Sequence, residues 1–177
     1  MPNSIINLKD DRSVLQINLS VRPWASKKRI KFLSNECLHH YITFLRNNLK
    51  LKSHLYLVNL VICGKKRGQT LNLQHRNKNR PTDVLSFPME EGLYLEKKLP
   101  DYLTQQLNLG DIVICHDVML QQAYRFETTI DEEFIRLFIH GLLHLTDMDH
   151  ERGGEEEKMM FRFQEQLIEK VLRSCKL

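Results

Sequence analysis

The 177-residue sequence lacks long hydrophobic runs, cysteine clusters, internal repeats and low-complexity tracts. No apolar stretch approaches the roughly 20 residues of a membrane-spanning helix, so the sequence predicts no membrane segment. The N-terminal segment has too short an apolar run for a secretory signal, and its acidic residues disfavour a transit peptide. The four cysteines are scattered without a C-x-x-C pair. We therefore expect reduced, mostly buried cysteines in a cytosolic protein.

What the sequence does contain is typical of one ordinary globular domain. Hydrophobic residues make up 42% of the chain and charged residues 27%, as in many soluble proteins. The length suffices for one well-buried domain, spanning residues 1–177, but is short for two. The net charge of +4 is compatible with a polyanionic partner such as nucleic acid, although many proteins that bind none share it.

Hydrophobic periodicity predicts an α/β fold, of the α+β kind, with a small mixed sheet packed against about five helices. Apolar or alternating segments predict strands at residues 14–21, 55–63, 84–87 and 111–115. Helical spacing predicts helices at residues 27–48, 70–76, from 117 onward, 130–145 and 155–176. Ser26 is the expected cap of the first helix, and Thr129 and Glu132 form a capping box before the fourth. Residues 89–108 are expected to be the longest loop.

Three histidines lie in the segment HGLLHLTDMDH, at His140, His144 and His150. Neutral imidazole is the commonest protein metal ligand. His140 and His144 are one helical turn apart, so their side chains project from one face of a helix. A turn after that helix would bring His150 back to the same point. This predicts a three-histidine site with an open fourth position, as in catalytic zinc sites. Core histidines and a surface cluster are the alternative interpretations.

The residues between these histidines refine the hypothesis. Zinc proteases have H-E-x-x-H with the glutamate as general base, so Gly141 disfavours peptide hydrolysis. A glycine inside a helix is unfavourable. One explanation is the close approach of substrate or of a neighbouring element, and the other is that the glycine is merely tolerated. Asp147 is placed to adopt a left-handed turn conformation, or it is a solvated acid at the helix end. Asp149 either orients an imidazole or is a surface charge.

Three segments together resemble the YbeY family of bacterial rRNA-maturation endoribonucleases. HGLLHLTDMDH is similar to the family motif H-G-x-L-H-L-x-G-Y-D-H. Residues 71–88, LNLQHRNKNRPTDVLSFP, are similar to L-N-x-x-x-R-x-x-x-x-P-T-D-V-L-S-F-P, and residues 109–115, LGDIVIC, to L-G-D-I-x-I. The chain departs from the family motif at Asp147, where the family has glycine, and at Met148, where it has tyrosine. The first change leaves the turn feasible, and the second removes an aromatic ring near the predicted metal.

This resemblance implies both a site and a function. His140, His144 and His150 would bind one zinc ion per chain. Arg76 would be the catalytic arginine, because a guanidinium can hold two phosphate oxygens and neutralise transition-state charge; without the resemblance it would be a solvated surface charge. The implied activity is zinc-dependent, single-strand-specific endoribonuclease cleavage in 16S rRNA 3′-end maturation and ribosome quality control, in the cytoplasm. The implied partners are single-stranded RNA, precursor 16S rRNA, the small ribosomal subunit and its assembly factors, with no membrane and no DNA.

Several parts of this mechanism stay open. Zinc would polarise a phosphoryl oxygen or activate the attacking group, which is either water or the RNA's own 2′-hydroxyl. No residue stands out as the general base. Asp83 and Ser86 are expected to have scaffold roles in the segment that enters the strand at residues 84–87.

Basic clusters and aromatic residues give a weaker indication of how RNA would be bound. The clusters at residues 27–29, 65–67 and 76–80 either follow the RNA backbone or are solvated surfaces. Trp24 and Phe87 are the obvious aromatic stacking partners. So few of them favour recognition of shape or of a ribosomal context over readout of bases.

Two further classes of function remain as alternatives. The protein could be a zinc-dependent hydrolase of another substrate, including a peptidase, which Gly141 disfavours. It could also be a non-catalytic ribosome-assembly factor with structural zinc. The open fourth coordination position and the presence of Arg76 disfavour that reading.

Overall fold

The computed structural model describes residues 4–9, 13–21, 23–49, 53–90, 93, 105–148 and 153–177. The strands are Ser4–Lys9 (β1), Ser13–Leu19 (β2), Leu55–Cys63 (β3), Val84–Pro88 (β4) and Gln106–Cys115 (β5). The α-helices are Lys27–Phe44 (α1), Lys65–Arg76 (α2), His116–Arg125 (α3), Ile130–His144 (α4) and Gly154–Cys175 (α5). A π-helical turn, Leu45–Leu49, extends α1.

The described strands form one mixed sheet in the order β1-β2-β3-β5-β4. β2, β3 and β5 run parallel, while β1 and β4 are antiparallel to their neighbours. Parallel neighbours need a crossover connection, which α1 provides between β2 and β3. The strand β4 lies at one edge of the sheet and pairs with β5. The predicted α/β fold with a mixed sheet and about five helices is therefore confirmed.

The two faces of the sheet are covered differently. Helices α1, α4 and α5 contribute to the main hydrophobic core, which contains the fully buried Tyr41, Phe134 and Phe138. A second, smaller cluster contains Cys63 and Val113, and Leu71 of α2 packs against it. All four cysteines are buried and unpaired, as the sequence predicts.

The local sequence explains where α4 begins. The side chain of Thr129 accepts a hydrogen bond from the backbone N–H of Glu132, and the Glu132 carboxylate accepts one from the backbone N–H of Thr129. The predicted capping box is therefore present. Apolar residues on nearly every side bury most of the helix. Helix α4 is consequently held rigidly beside the sheet, and it carries His140 and His144.

Close packing against the sheet accounts for Gly141. A Cβ atom at this position would lie 2.9 Å from Cγ2 of Ile112 and 3.2 Å from Oγ of Ser86. Contacts shorter than 3.0 Å force a neighbour to shift. Of the interpretations that the sequence leaves open, the structure supports close approach of a neighbouring element. The missing side chain lets α4 pack directly on β4 and β5.

Two predicted boundaries are wrong, and a glycine is the reason in each case. Helix α2 begins at Lys65 rather than residue 70, because Gly68 does not break the helix. A Cβ atom at Gly68 would lie only 3.3 Å from Cβ and Sγ of Cys115, so the glycine lets the helix pack closely there. Strand β5 begins at Gln106 rather than residue 111. Gly110, with φ of 124°, forms an irregularity within the strand, as glycine does in a β-bulge.

The other predicted boundaries of strands and helices agree with the structure within one to three residues, when the π-helical turn is counted with α1. β1 has no counterpart among the predicted strands. Much of the loop predicted at 89–108 lies outside the described residues. None of the helices in the described ranges is long and apolar enough to cross a membrane.

Candidate active site

A cleft of about 680 Å³ lies between the edge strand β4 and helix α4. All five residues of β4 line it. The end of α2 contributes His75 and Arg76, and α4 contributes Arg136, His140 and His144. Segments that are far apart in the sequence therefore meet at one edge of the sheet. Two of the three predicted histidines, His140 and His144, line the same cleft as the predicted arginine, Arg76.

His140 and His144 direct the same ring nitrogen to one point. Their Nε2 atoms are 3.2 Å apart, and the two rings are nearly perpendicular, with an interplanar angle of 79°. Two nitrogens bound at about 2.0–2.1 Å to a tetrahedral ion are separated by about 3.3 Å. The same distance also permits a hydrogen bond between the rings. The pair is therefore spaced as two ligands of a single metal ion.

Gln164 fixes the orientation of one of these imidazoles. Its Oε1 lies 2.7 Å from Nδ1 of His140, and Gln164 is buried in α5. Because an amide oxygen only accepts, Nδ1 carries the proton and donates. The lone pair of Nε2 is then directed into the cleft, which is the tautomer that metal binding at Nε2 requires. The sequence alone had no signal for Gln164, since it is 24 residues away on another helix.

The turn that follows α4 has the predicted conformation at Asp147. Its φ is 64°, in the left-handed region that aspartate tolerates better than most residues. Met148 is buried and lines the cleft where the family motif has tyrosine. Asp149 and His150 lie outside the described residues. Within the described ranges, no group of three candidate metal ligands is present.

Arg76 lies at the end of α2, where the chain reverses. The next residue, Asn77, adopts a left-handed conformation with φ of 55° and caps the helix. The Arg76 side chain is exposed and lines the cleft. Its position as the last helical residue places a guanidinium at the mouth of the cleft, where it can meet an anionic ligand.

Asp83 is held by a set of hydrogen bonds that organise the segment before β4. Its carboxylate accepts from Nε2 of Gln122, from the backbone N–H of Val84 and from the hydroxyl of Thr82. Burial favours the neutral acid, but these hydrogen bonds together outweigh it and hold the pKa of Asp83 below its usual value. Its backbone oxygen also accepts from the N–H of Cys115. These contacts are those of a scaffold residue, as expected, although Asp83 and Ser86 both line the cleft.

Arg136 is a second guanidinium in the cleft that sequence reasoning missed. It forms a two-point ion pair with Glu133, with N···O distances of 2.8 and 2.6 Å. The available signal was its spacing, since Arg136 precedes His140 by four residues and therefore lies on the same face of α4. The Glu133 hydrogen bonds, joined by the charge of Asp83, raise the pKa of Arg136 above its ordinary value.

The aromatic residues singled out in the sequence have structural contacts. Trp24 donates from Nε1 to Asp131 at 2.9 Å and packs against Phe134 with a centroid separation of 4.9 Å. Phe87 lines the cleft and packs edge-on against His75. Trp24 is thus engaged in packing. Tyr124, which is 89% exposed, is an aromatic side chain open to a stacking partner that the sequence analysis did not single out.

Fold and cleft together define an α/β protein whose edge cleft carries convergent histidines and two arginines. The family model described as Endoribonuclease YbeY matches residues 24–172. The chain belongs to the YbeY family.

Individual relatives show how far the similarity extends. The Endoribonuclease YbeY of Sulfurihydrogenibium sp. is 34% identical over 120 residues, which are 68% of this chain and 72% of the relative. The one from Treponema denticola is 35% identical over 131 residues, or 74% and 79% of the two chains. The match to the one from Persephonella marina is 43% identical over 101 residues and spans 57% of this chain and 61% of the relative.

A solved structure is similar over nearly the whole chain. The solution structure of TM1509 from Thermotoga maritima is 27% identical and covers 92% of this chain and 91% of its own, with a TM-score of 0.60. The described fold is therefore shared with a protein whose structure was determined experimentally.

Proposed function

We propose that the protein is a zinc-dependent endoribonuclease that cleaves single-stranded RNA in the cleft beside β4. The observation that carries the proposal is the pair of Nε2 atoms of His140 and His144, 3.2 Å apart, beside Arg76 in the same cleft. The relatives named Endoribonuclease YbeY support RNA as the substrate.

The residues present fit a zinc ion. His140 and His144 have the spacing of two ligands, and the contact of Gln164 with Nδ1 leaves Nε2 of His140 unprotonated. His150 would be the third protein ligand, giving one ion per chain with a position open to substrate or water. When bound, zinc supplies positive charge that polarises a phosphoryl oxygen.

The chain's own residues position the phosphodiester. Arg76 would bind its phosphate oxygens and neutralise charge that develops in the transition state. Asp83 would keep the segment before β4 in place through its contacts with Gln122, Val84 and Thr82. The cleft wall opposite α4 is then fixed, so the phosphate meets Arg76 and the histidines without rearrangement of that wall.

The packing of α4 supports ribonuclease over peptidase chemistry. A zinc protease needs a glutamate directly after the first histidine. Here that position is Gly141, and even a methyl group there would lie 2.9 Å from Ile112. The site thus has no space for the proteolytic base at this position.

We extend the proposal to the biological substrate that the family resemblance implies. The enzyme would act on the 3′ end of precursor 16S rRNA in the cytoplasm, with the small ribosomal subunit and its assembly factors as partners, in rRNA maturation and ribosome quality control. The four unpaired cysteines suit a reducing compartment.

The test compares zinc-loaded wild-type protein with three variants on single-stranded RNA and on casein. His144→Ala should lose both zinc and RNA cleavage. Arg76→Ala should keep its zinc but cleave about 100- to 1,000-fold more slowly, the usual effect of removing one transition-state donor. Arg80→Ala is the matched control, because Arg80 lies in the same basic stretch but does not line the cleft.

The result that would overturn the proposal is RNA cleavage that survives both His144→Ala and Arg76→Ala. A wild-type protein that cleaves casein but leaves the RNA uncleaved would instead be a peptidase. A folded wild-type protein that binds no stoichiometric zinc would remove the metal from the proposal.

A further inference from the structure

Arg136 lies on the face of α4 that carries the two histidines. The three residues occur at intervals of four, so their side chains project into the cleft one helical turn after another. Arg136 therefore continues the line that begins at His144 and passes His140. A strand bound along this face would meet the two histidines first and Arg136 next.

The Arg136 guanidinium is held in one orientation by Glu133. Nε and Nη2 of Arg136 donate to the two carboxylate oxygens of Glu133 at 2.8 and 2.6 Å. The side chain of Glu133 is 1% exposed and that of Arg136 is 34% exposed. Glu133 thus anchors one edge of the guanidinium, and the partly exposed Arg136 side chain lines the cleft.

The donors that Glu133 leaves unused suit an anion. Nη1 of Arg136 makes no hydrogen bond with another residue in the described part of the chain. A guanidinium has five donors in a fixed plane and commonly binds phosphate with two of them. A group that is already oriented loses little side-chain freedom when it binds a ligand.

We propose that Arg136 forms a second phosphate-binding position of the cleft, positioned by Glu133, which holds a phosphodiester of single-stranded RNA. This inference rests on the proposed endoribonuclease function. It assigns Arg136 to substrate binding beyond its role as the counter-charge of Glu133. Arg76 and Arg136 would then hold the RNA strand from two different elements, α2 and α4.

A matched pair of double variants tests this assignment. Glu133→Gln/Arg136→Gln removes the guanidinium without leaving a buried carboxylate unpaired. Glu169→Gln/Arg173→Gln is the control, because it removes another Glu–Arg pair within one helix, with the same net charge change, away from the cleft lining. Initial rates of the zinc-loaded proteins on a single-stranded RNA oligonucleotide, measured over a range of salt concentrations, give kcat and KM.

For the Glu133/Arg136 variant we expect KM to rise roughly 10- to 100-fold, as for a lost hydrogen bond to a charged group, with a smaller change in kcat. The slope of log KM against log salt should fall by about 0.7, the contribution of one neutralised phosphate in a single strand. The control variant should keep the wild-type KM and slope. A purely structural role of Arg136 would not alter the salt slope.

Arg136→Lys keeps the counter-charge on Glu133 and serves if the double variant does not fold. It should raise KM because the planar fork is lost, but keep the wild-type salt slope because the charge remains. A wild-type enzyme that cleaves RNA, together with folded Arg136 variants that have wild-type KM and slope, would overturn this inference alone. A wild-type protein without RNA cleavage would overturn the proposed function and this inference together.

Discussion

Replacing Gln164 with leucine is expected to weaken zinc binding about 10- to 100-fold. Gln164 is buried, and its Oε1 accepts from Nδ1 of His140 at 2.7 Å. Leucine has a similar volume but no acceptor, so it leaves a buried N–H without a partner. Such a loss costs about 1–3 kcal/mol, and a partner of a metal-bound histidine typically contributes 10- to 100-fold to affinity, or about 1.4–2.7 kcal/mol.

The assay is competition for zinc against a chelating indicator, with circular dichroism to verify folding. Gln166→Leu is the control, because Gln166 is an exposed residue of the same type on the same helix. Gln164→Glu should retain most of the affinity, since it keeps an acceptor at the same position. A folded Gln164→Leu protein with the wild-type zinc dissociation constant would refute the argument that this contact sets the His140 tautomer.

Two further predictions concern stability. Gly141→Ala should lower the free energy of unfolding by up to about 2 kcal/mol, because overpacking against Ile112 costs about 1–3 kcal/mol and alanine regains about 1 kcal/mol of helix propensity; a higher Tm in a thermal melt would contradict this. Gln122→Leu should destabilise most at neutral pH. Because the pKa of Asp83 is lower in the folded protein, its ionised carboxylate stabilises the fold at any pH above the pKa that Asp83 has in the unfolded chain. That contribution is lost as the pH falls through the pKa of the folded protein. Urea unfolding near pH 7 and at about pH 2.5 measures the difference, and an equal loss at both would count against the Asp83 contact.

Local signals predicted the helix that carries the site. The Thr129–Glu132 capping box and the dense apolar spacing after it define the start and the burial of α4. The four-residue spacing of His140 and His144 likewise sets them on one face in any α-helix. These predictions succeed because each depends on residues within one or two helical turns.

Element boundaries near glycines were harder to predict, because a glycine can end a helix or strand or can lie inside one where a neighbour packs closely. Gly68 is inside α2, where Cys115 occupies the space a side chain would need. Gly110 is inside β5, where a Cβ would meet the carbonyl oxygen of Phe87. In both cases a residue of a neighbouring element leaves no room for a side chain, and no pattern along the chain reveals that neighbour.

The sequence alone therefore determined the described helices and every described strand except β1, apart from the two boundaries near glycines. It also determined the histidine pair and, through the family motifs, Arg76 as the candidate catalytic arginine. Only the tertiary structure decided that β4 and α4 enclose one cleft, that Gln164 orients His140 and that Glu133 orients Arg136 toward the cleft. The physical reason is that periodicity encodes which face of an element is apolar, whereas a polar contact such as that between Gln164 and His140 depends on how two elements pack.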